Sequence, residues 1–205
     1  MSQTTSGLRA ILSRPAVYDT LQAIMGVRTA RLDLVKSFVR PNHGMRVLDM
    51  GCGTAGILAC LPDDTEYWGY DISEEYIAAA RARFRGRGHF HRGAIDDLPP
   101  DGPDAYDIVL AIGVLHHLDD ELAVALVERA RGVLGASGRL ITVDPCLAKD
   151  QHPVARFLVL RDRGRNVRDS EGYLKIAQKT FPRVKGTLRH RTWIPYTNWI
   201  MECTA

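Results

Sequence analysis

Residues 47–56, VLDMGCGTAG, decide the fold of this 205-residue chain. The first four residues are a short apolar run interrupted only by Asp49, which is typical of a buried β-strand. The glycines that follow form the pattern GxGxxG, and ILACL at 57–61 is expected to begin a helix. A strand, a glycine turn and a helix in this order are typical of a loop whose backbone closely approaches a bound nucleotide or nucleoside.

Strands and helices are predicted to alternate along the next hundred residues. Helices are expected from Ser73, as N-cap, to about Phe84, and over 119–134, with Gly135 near the end. Further strands are predicted at 66–71, 88–93, 106–113 and 138–144. This alternation predicts a doubly wound, mostly parallel sheet, a Rossmann-like α/β fold whose ligands bind beyond the carboxyl ends of the strands.

The flanking segments are predicted to be helical on one side and antiparallel on the other. Residues 15–40 and 170–180 read as helical, 153–165 carry apolar residues followed by RDRGR, and 183–204 read as a hairpin. We therefore expect a single domain of three parts. These are an N-terminal helical cap (1–43), a cofactor-binding core (44–145), and an acceptor-side insertion with closing strands (146–205).

Composition excludes several classes of protein. Hydrophobic residues make up 45% and charged residues 25%, as in ordinary globular proteins, and no apolar run approaches the ~20 residues that span a bilayer. The net charge of +3 is too small to indicate a nucleic-acid partner. The four cysteines form no CxxC pair, so neither a metal site nor a disulfide framework is predicted. A cytoplasmic location fits best, and nothing indicates an oligomeric state.

Two aspartates restrict the chemical class of the expected ligand. Asp71 ends the second predicted strand, 18 residues after Gly53, a spacing that suits a carboxylate accepting from ribose hydroxyls. Asp49 lies two residues before Gly51, where it would repel the pyrophosphate of a dinucleotide. It suits a ligand with an ammonium group or a sulfonium cation, or it organises the loop by accepting from backbone amides. Both roles stay open.

Several motifs in order give the chain a family resemblance. VLDMGCGTAG resembles the first motif of the class I S-adenosylmethionine-dependent methyltransferases, and YWGYDISEEYI (67–77) resembles the second. YDIVLAIGVLHHLDD (106–120) resembles the fourth, and GRLITVDP (138–145) the fifth-strand region. The resemblance covers roughly residues 44–145. It implies S-adenosylmethionine as cofactor and methyl transfer to O or N of a small-molecule acceptor, driven mainly by alignment, with a carbon acceptor still open.

The resemblance also implies a cofactor site. It assigns the backbone of residues 51–53 to the methionine portion, Asp71 to the ribose hydroxyls and Ile72 to the adenine. The family often has an acid where this chain has Ala94, so Asp96 or water would have to serve the adenine amino group. The full implied set, including a leading helix over the cofactor, is Asp49, Gly51, Cys52, Gly53, Asp71, Ile72, Ala94, Ile95, Ala111, Ile112, Tyr18 and Gln22.

The candidate residues on the acceptor side each have a functional and a structural interpretation. His116 is the candidate general base, ahead of His117, because imidazole titrates near neutrality, but packing or capping is the alternative. Arginines at 156–168 could grip an acidic acceptor or form a solvated face. Trp193 and Trp199 could line an aromatic pocket or pack in the hairpin. The candidate substrate-binding residues are His117, Asp144, Arg161, Arg163 and Tyr196.

Three other functions compete with small-molecule methylation. One is methylation of RNA or protein, with the arginines as an electrostatic footprint. Another is nicotinamide binding, which Asp49 and the single GxGxxG disfavour. The third is a protein that binds a nucleoside cofactor without performing chemistry.

Overall fold

The computed structural model describes residues 27–94, 97, 105–162, 164–191 and 195–204. The predicted helix over 15–26 lies outside these residues. Contacts divide the described chain into two compact units, one reaching residue 97 and the other beginning at 105. We call them the N-terminal and C-terminal units. The three-part division predicted above stays a prediction.

The N-terminal unit is built on a three-stranded parallel sheet in the order β3-β2-β1. Val47, Leu48 and Met50 are buried along β1, as expected for a strand covered on both faces. Ser73 is the N-cap of α2, since its hydroxyl accepts from the Tyr76 amide, and this confirms the prediction. The elements are α1 (Val27–Leu34), a π-helical turn (Val35–Val39), β1 (Arg46–Met50), a 3-10 turn (Leu58–Cys60), β2 (Glu66–Asp71), α2 (Glu74–Arg83) and β3 (His89–Arg92).

The helix expected to begin at 57–61 was a wrong prediction. Only the 3-10 turn Leu58–Cys60 forms there. Pro62 follows at once and β2 begins at Glu66, so fewer than ten residues separate the last glycine from the next strand. A proline in a helix interior removes a backbone donor and clashes with the preceding turn, so the helix cannot continue.

The C-terminal unit carries the strand order β4-β5-β8-β7, with β6 paired to β5. β4 and β5 are parallel, whereas β5, β8 and β7 are antiparallel neighbours, which confirms the predicted hairpin. The elements are β4 (Tyr106–Ile112), a 3-10 turn (Leu115–His117), α3 (Asp120–Val133), β5 (Leu134–Leu147), α4 (Pro153–Leu160), β6 (Arg168–Asp169), α5 (Ser170–Gln178), β7 (Arg183–Arg191) and β8 (Tyr196–Thr204).

One boundary in this unit differs from expectation. Asp119 caps α3 as predicted, but the helix passes directly into β5 at Leu134 without a glycine terminus. α4 spans the apolar residues of 153–165 and ends at Leu160, before the arginine- and aspartate-rich residues that follow them. The architecture as a whole is the predicted mixed α/β, Rossmann-like fold with C-terminal antiparallel strands. Among the described helices, none is long and apolar enough to cross a membrane.

Candidate cofactor and acceptor sites

The glycine loop, residues 51–56, turns its first three backbone amides toward the protein. The amides of Gly51 and Cys52 donate to Tyr70 O at 2.8 and 2.9 Å, and the Gly53 amide donates to Asp71 Oδ2 at 2.9 Å. Both glycines adopt a positive φ, +77° and +55°, which favours glycine there. These three amides are therefore not available to a phosphate, which needs N–H donors.

Asp71 links the glycine loop to the start of α2. Besides the Gly53 amide, its carboxylate accepts from the Ser73 amide at 2.9 Å through Oδ1. Partial burial raises the pKa of Asp71, and the two amides oppose that rise. Each carboxylate oxygen can accept more than one hydrogen bond, so Asp71 retains capacity for a ligand hydroxyl.

Asp49 is a buried carboxylate beneath the loop. Its Oδ2 accepts from the Tyr67 hydroxyl at 2.6 Å, while its Oδ1 has no hydrogen-bond partner among the described residues. Burial raises the pKa of Asp49 to about 7; Tyr67 and Arg31 oppose this, and Asp71 adds to it. A buried carboxylate oxygen without a partner costs free energy, and a cationic ligand would remove that cost.

The residues that the resemblance assigns to the adenine are described only in part. Ile72 is 40% exposed, an unusual state for an isoleucine and one suited to packing on a ring. The Ala94 amide donates to Asp97 Oδ2 at 2.9 Å, so the acid observed beside Ala94 is Asp97. The sequence had suggested Asp96 or water for that place. Ile95 and Asp96 lie outside the described residues.

Arg31 of α1 is a candidate that sequence reasoning missed. A Cβ atom added to Gly56 would lie 2.3 Å from the Arg31 guanidinium, so this side chain packs on the glycine loop. It also acts electrostatically on Asp49. A guanidinium there could pair with a ligand carboxylate. A lone arginine on a helix carries no sequence signal for this role. Tyr18 and Gln22, predicted for this region, lie outside the described residues.

In the C-terminal unit, a carboxylate–histidine cluster forms around the predicted base. His116 Nδ1 lies 2.8 Å from Asp144 Oδ1, and His116 Nε2 lies 3.1 Å from Asp162 Oδ1. The Tyr196 hydroxyl donates to Asp162 Oδ2 at 2.5 Å. We call these four residues the His116 cluster. It joins three predicted residues to Asp162, which was not among the candidates predicted from the sequence.

The charge state of the cluster follows from its contacts. Burial alone would lower the pKa of His116, but the hydrogen bonds with Asp144 and Asp162 outweigh it and raise the pKa to about 9. Burial acts to raise the pKa of Asp162, yet His116 and Tyr196 hold that pKa well below its usual range. At neutral pH the ring is therefore an imidazolium between two carboxylates, and neither nitrogen has a free lone pair.

Other predicted residues of the C-terminal unit are not part of the His116 cluster. Ala111 is buried and Ile112 half-buried at the end of β4, where they were expected. The His117 ring lies against the His116 ring, with centroids 4.0 Å apart. The Trp199 indole covers Gly186, where a Cβ atom would lie 2.0 Å from the indole, so it packs in the hairpin.

The arginines of the acceptor side divide into separate roles. Arg168 donates to Leu115 O and Leu118 O at 2.9 Å each, and pairs with Asp120 at 2.6 Å, so its guanidinium holds the turn that carries His116. Arg161 is exposed and lies over the Phe157 ring, 4.5 Å from its centroid. Arg163 and Trp193 lie outside the described residues.

Comparison with known proteins places these features in a family. The family model described as "Methyltransferase domain" matches residues 48–140. An O-methyltransferase of Penicillium expansum is 32% identical over 154 residues, covering 69% of this chain and 50% of the relative. A tRNA U34 carboxymethyltransferase of Shewanella frigidimarina is 31% identical over 138 residues, covering 64% and 40%. The chain thus spans half or less of the length of these relatives.

The fold of this chain also resembles that of a solved methyltransferase structure. A TehB-like SAM-dependent methyltransferase of Corynebacterium glutamicum superposes with a TM-score of 0.61 at 17% identity, covering 91% of this chain and 96% of that one. This likeness shows the fold, and the matched methyltransferase domain with the O-methyltransferase relative identifies the chain as a member of the class I S-adenosylmethionine-dependent methyltransferase family.

Proposed function

We propose that this chain is an enzyme that moves a methyl group from S-adenosylmethionine to an oxygen or nitrogen atom of a small molecule. The observation that carries the proposal is the polarity of the glycine loop. Its first three amides bond to Tyr70 and Asp71, and the buried Asp49 Oδ1 lacks a partner. These groups suit an ammonium or sulfonium cation and do not suit a pyrophosphate.

The residues present fit this cofactor. S-adenosylmethionine supplies, when bound, a methyl group activated by its positively charged sulfur. Asp49 and backbone groups of residues 51–53 would hold the methionine portion, and Arg31 would pair with its carboxylate. Asp71 would accept from the ribose hydroxyls and Ile72 would pack on the adenine. By the family resemblance, Ala111 and Ile112 would lie beside the methionyl end and Ala94 beside the adenine.

The protein's main contribution is then alignment. Well-oriented groups in intramolecular reactions reach effective molarities of roughly 10⁵–10⁸ M, which accounts for much of the acceleration that an activated donor needs. Side chains that bind both partners rigidly therefore matter more than a strong base. A base is required only when the acceptor must lose a proton.

The acceptor side is proposed to be the His116 cluster with its neighbours His117 and Arg161. Two carboxylates and one imidazolium leave the cluster with one net negative charge at neutral pH. This favours an acceptor that donates a hydrogen bond, such as a hydroxyl or amine. An acidic acceptor would depend on the exposed Arg161 and on Arg163, since Arg168 is already bound to backbone carbonyls.

The relatives support two acceptor classes. The O-methyltransferase of Penicillium expansum favours a hydroxyl acceptor, whereas the tRNA enzyme of Shewanella frigidimarina keeps RNA as the second candidate. We favour the small molecule because the described additions after β5 are short: α4, β6 and α5 contain eight, two and nine residues. All four cysteines are free thiols, which fits the proposed cytoplasmic location.

The test is the fate of a tritiated methyl group. Purified protein is incubated with S-[methyl-³H]adenosylmethionine and a cell extract separated into small-molecule, RNA and protein fractions. We expect label in the small-molecule fraction only. Label in RNA, removed by ribonuclease, would establish the tRNA-like alternative. No label in any fraction, together with tight cofactor binding, would indicate a binding protein without chemistry.

A further inference from the structure

His116 uses its two ring nitrogens differently. Both Nδ1 and the His116 backbone amide lie within hydrogen-bond distance of the same oxygen, Asp144 Oδ1, at 2.8 and 3.1 Å. Asp144 belongs to β5 and is almost fully buried, so this contact fixes the ring to the sheet. A histidine held in this way has its second nitrogen available for proton transfer, the arrangement in which a carboxylate orients a general base.

The second nitrogen is covered by Asp162. Asp162 lies in the segment 161–166 that follows α4, of which the structure describes all residues but Arg163. The Asp162 side chain is 23% exposed, against 6% for His116 and 1% for Asp144. Tyr196 of β8 and the Gly164 amide both donate to it. Segment 161–166 also contacts the turn directly, because the Asn166 amide donates to His116 O at 3.0 Å. Asp162 is therefore the outermost carboxylate of the cluster.

Charged groups reach the His116 ring from several elements, and their balance sets its protonation. Burial acts to lower the pKa of the ring, and the two carboxylates raise it to about 9. Of the other groups near the cluster, Tyr173 and Tyr196 have pKa values raised by burial, and Arg168 pairs with Asp120. The titratable and charged groups around the ring are Asp144 of β5, Asp162 of the segment, His117 of the same turn, Tyr173 of α5, Tyr196 of β8 and Arg168 of β6.

We propose that Asp162 is a positioning residue that occupies Nε2 of His116 by accepting its hydrogen bond. His116 then accepts a proton from the acceptor only after Asp162 has moved away from Nε2. The inference rests on the proposed function. While Asp162 occupies Nε2, both ring nitrogens carry hydrogen, so neither can take another proton. When Asp162 leaves, the Nε2 proton passes to water. The freed lone pair then takes the proton of an acceptor O–H or N–H, and the bonding electrons stay on that oxygen or nitrogen.

The first test measures the ring itself by NMR on the full chain. Ring ¹H–¹⁵N spectra are recorded from pH 5 to 10 for the wild type, Asp162→Asn, Tyr196→Phe and the control Asp150→Asn, an exposed aspartate in the same region. His116→Gln assigns the signal. We expect the His116 midpoint to fall by about one pH unit or more in Asp162→Asn, in line with loss of a neighbouring opposite charge. A smaller fall is expected in Tyr196→Phe and none in Asp150→Asn. A midpoint in Asp162→Asn equal to that of the control would overturn the proposal.

The second test measures access to Nε2. Diethyl pyrocarbonate modifies unprotonated imidazole, and peptide mapping locates the product. At pH 7 we expect His116 of the wild type to react far more slowly than the exposed His43, and at least five-fold faster in Asp162→Asn than in the wild type. Equal reactivity of His116 and His43 in the wild type would contradict the proposal that Asp162 occupies Nε2. This readout and the NMR titration need no cofactor, so they stand even if S-adenosylmethionine fails to bind.

The third test connects the cluster to turnover. In the tritium assay at pH 7, Asp162→Asn is expected to raise the rate of labelling, because Nε2 is no longer covered by a carboxylate, whereas His116→Gln should lose labelling and Asp150→Asn should match the wild type. A rate of labelling in Asp162→Asn equal to or below that of the wild type would overturn the positioning role. Absence of labelling in the wild type would instead count against the proposed function.

Discussion

The backbone amide of Gly53 donates a 2.9 Å hydrogen bond to Asp71 Oδ2, which ties the glycine loop to the carboxyl end of β2. The same carboxylate accepts from Ser73 at the start of α2. One side chain thus fixes the loop, the strand end and the helix start relative to each other. A ligand that contacts Asp71 meets a group already oriented, which reduces the entropy lost on binding.

Cofactor affinity should depend on pH through Asp49. Its pKa is about 7 without ligand, and a nearby cation favours the ionised form, so binding below pH 7 should release a proton. Affinity for S-adenosylmethionine should therefore rise between pH 6 and 8 and then level off. Titration calorimetry in buffers of different ionisation enthalpy measures the proton. Asp49→Asn should remove the pH dependence, whereas exposed Asp63→Asn should retain it. Binding at pH 6 without proton release would count against an ionised Asp49 beside the ligand.

The His116 cluster should make stability fall at alkaline pH. The pKa of His116 is raised from 6.5 to about 9, so its contribution is complete below pH 6.5 and is lost as the pH rises through 9. At about 1.4 kcal/mol per pH unit, the contribution is about 3 kcal/mol. Urea unfolding between pH 6 and 9.5 measures it. His116→Gln should flatten this dependence, and His43→Gln should not. An equally steep decline in His116→Gln would assign the pH dependence to other groups.

Arg168 should contribute to the free energy of unfolding and not to acceptor binding. Its guanidinium satisfies Leu115 O and Leu118 O and pairs with Asp120, and its side chain is 11% exposed. Arg168→Gln should lower the free energy of unfolding by about 2–4 kcal/mol, because hydrogen bonds to charged groups are lost and carbonyls are left unpaired. The exposed Arg156→Gln should change it by less than about 0.5 kcal/mol. If the two variants were equally stable, Arg168 would return to the acceptor-binding candidates.

Gly164 should tolerate no side chain. A Cβ atom there would lie 2.1 Å from His116 Cδ2 and 2.5 Å from His116 O, so segment 161–166 would have to move. Gly164→Ala should cost about 1–3 kcal/mol of unfolding free energy, as overpacking typically does. Gly132 in α3 has nothing within 4 Å of its Cβ position, so Gly132→Ala should stabilise by up to about 1 kcal/mol. A Gly164→Ala variant as stable as the wild type would show that the segment does not pack on His116.

Local patterns were sufficient to predict much of the fold. The apolar run of β1, the Ser73 cap and the alternating pattern of the hairpin each depend on neighbouring residues, and each prediction is confirmed. The helix predicted after the glycine loop does not form, although the apolar pattern there is compatible with one. Pro62 and the start of β2 leave too few residues for a helix. Propensity is a weak guide where the connection is too short for a helix.

The site was predictable where it follows a motif. Asp49 lies in β1, the glycines follow β1 and Asp71 ends β2, so their places in the fold follow from the predicted strands, and their roles toward a ligand stay a prediction. The contact between His116 and Asp162 joins residues 46 positions apart, and the contact of Arg31 with Gly56 joins α1 to the loop. Such pairs form only through tertiary packing. No local spacing distinguishes Asp162 from the charged residues around it.

The central claim is that the glycine loop and Asp71 bind S-adenosylmethionine, and calorimetric titration with S-adenosylhomocysteine tests it most directly. We predict one binding site in the wild type, a loss of roughly 1.5–3 kcal/mol of binding free energy in Asp71→Ala, and unchanged affinity in Asp63→Ala. This loss corresponds to a roughly 10- to 150-fold weaker Kd. No binding to the wild type, or equal affinity in Asp71→Ala and the wild type, would contradict the account.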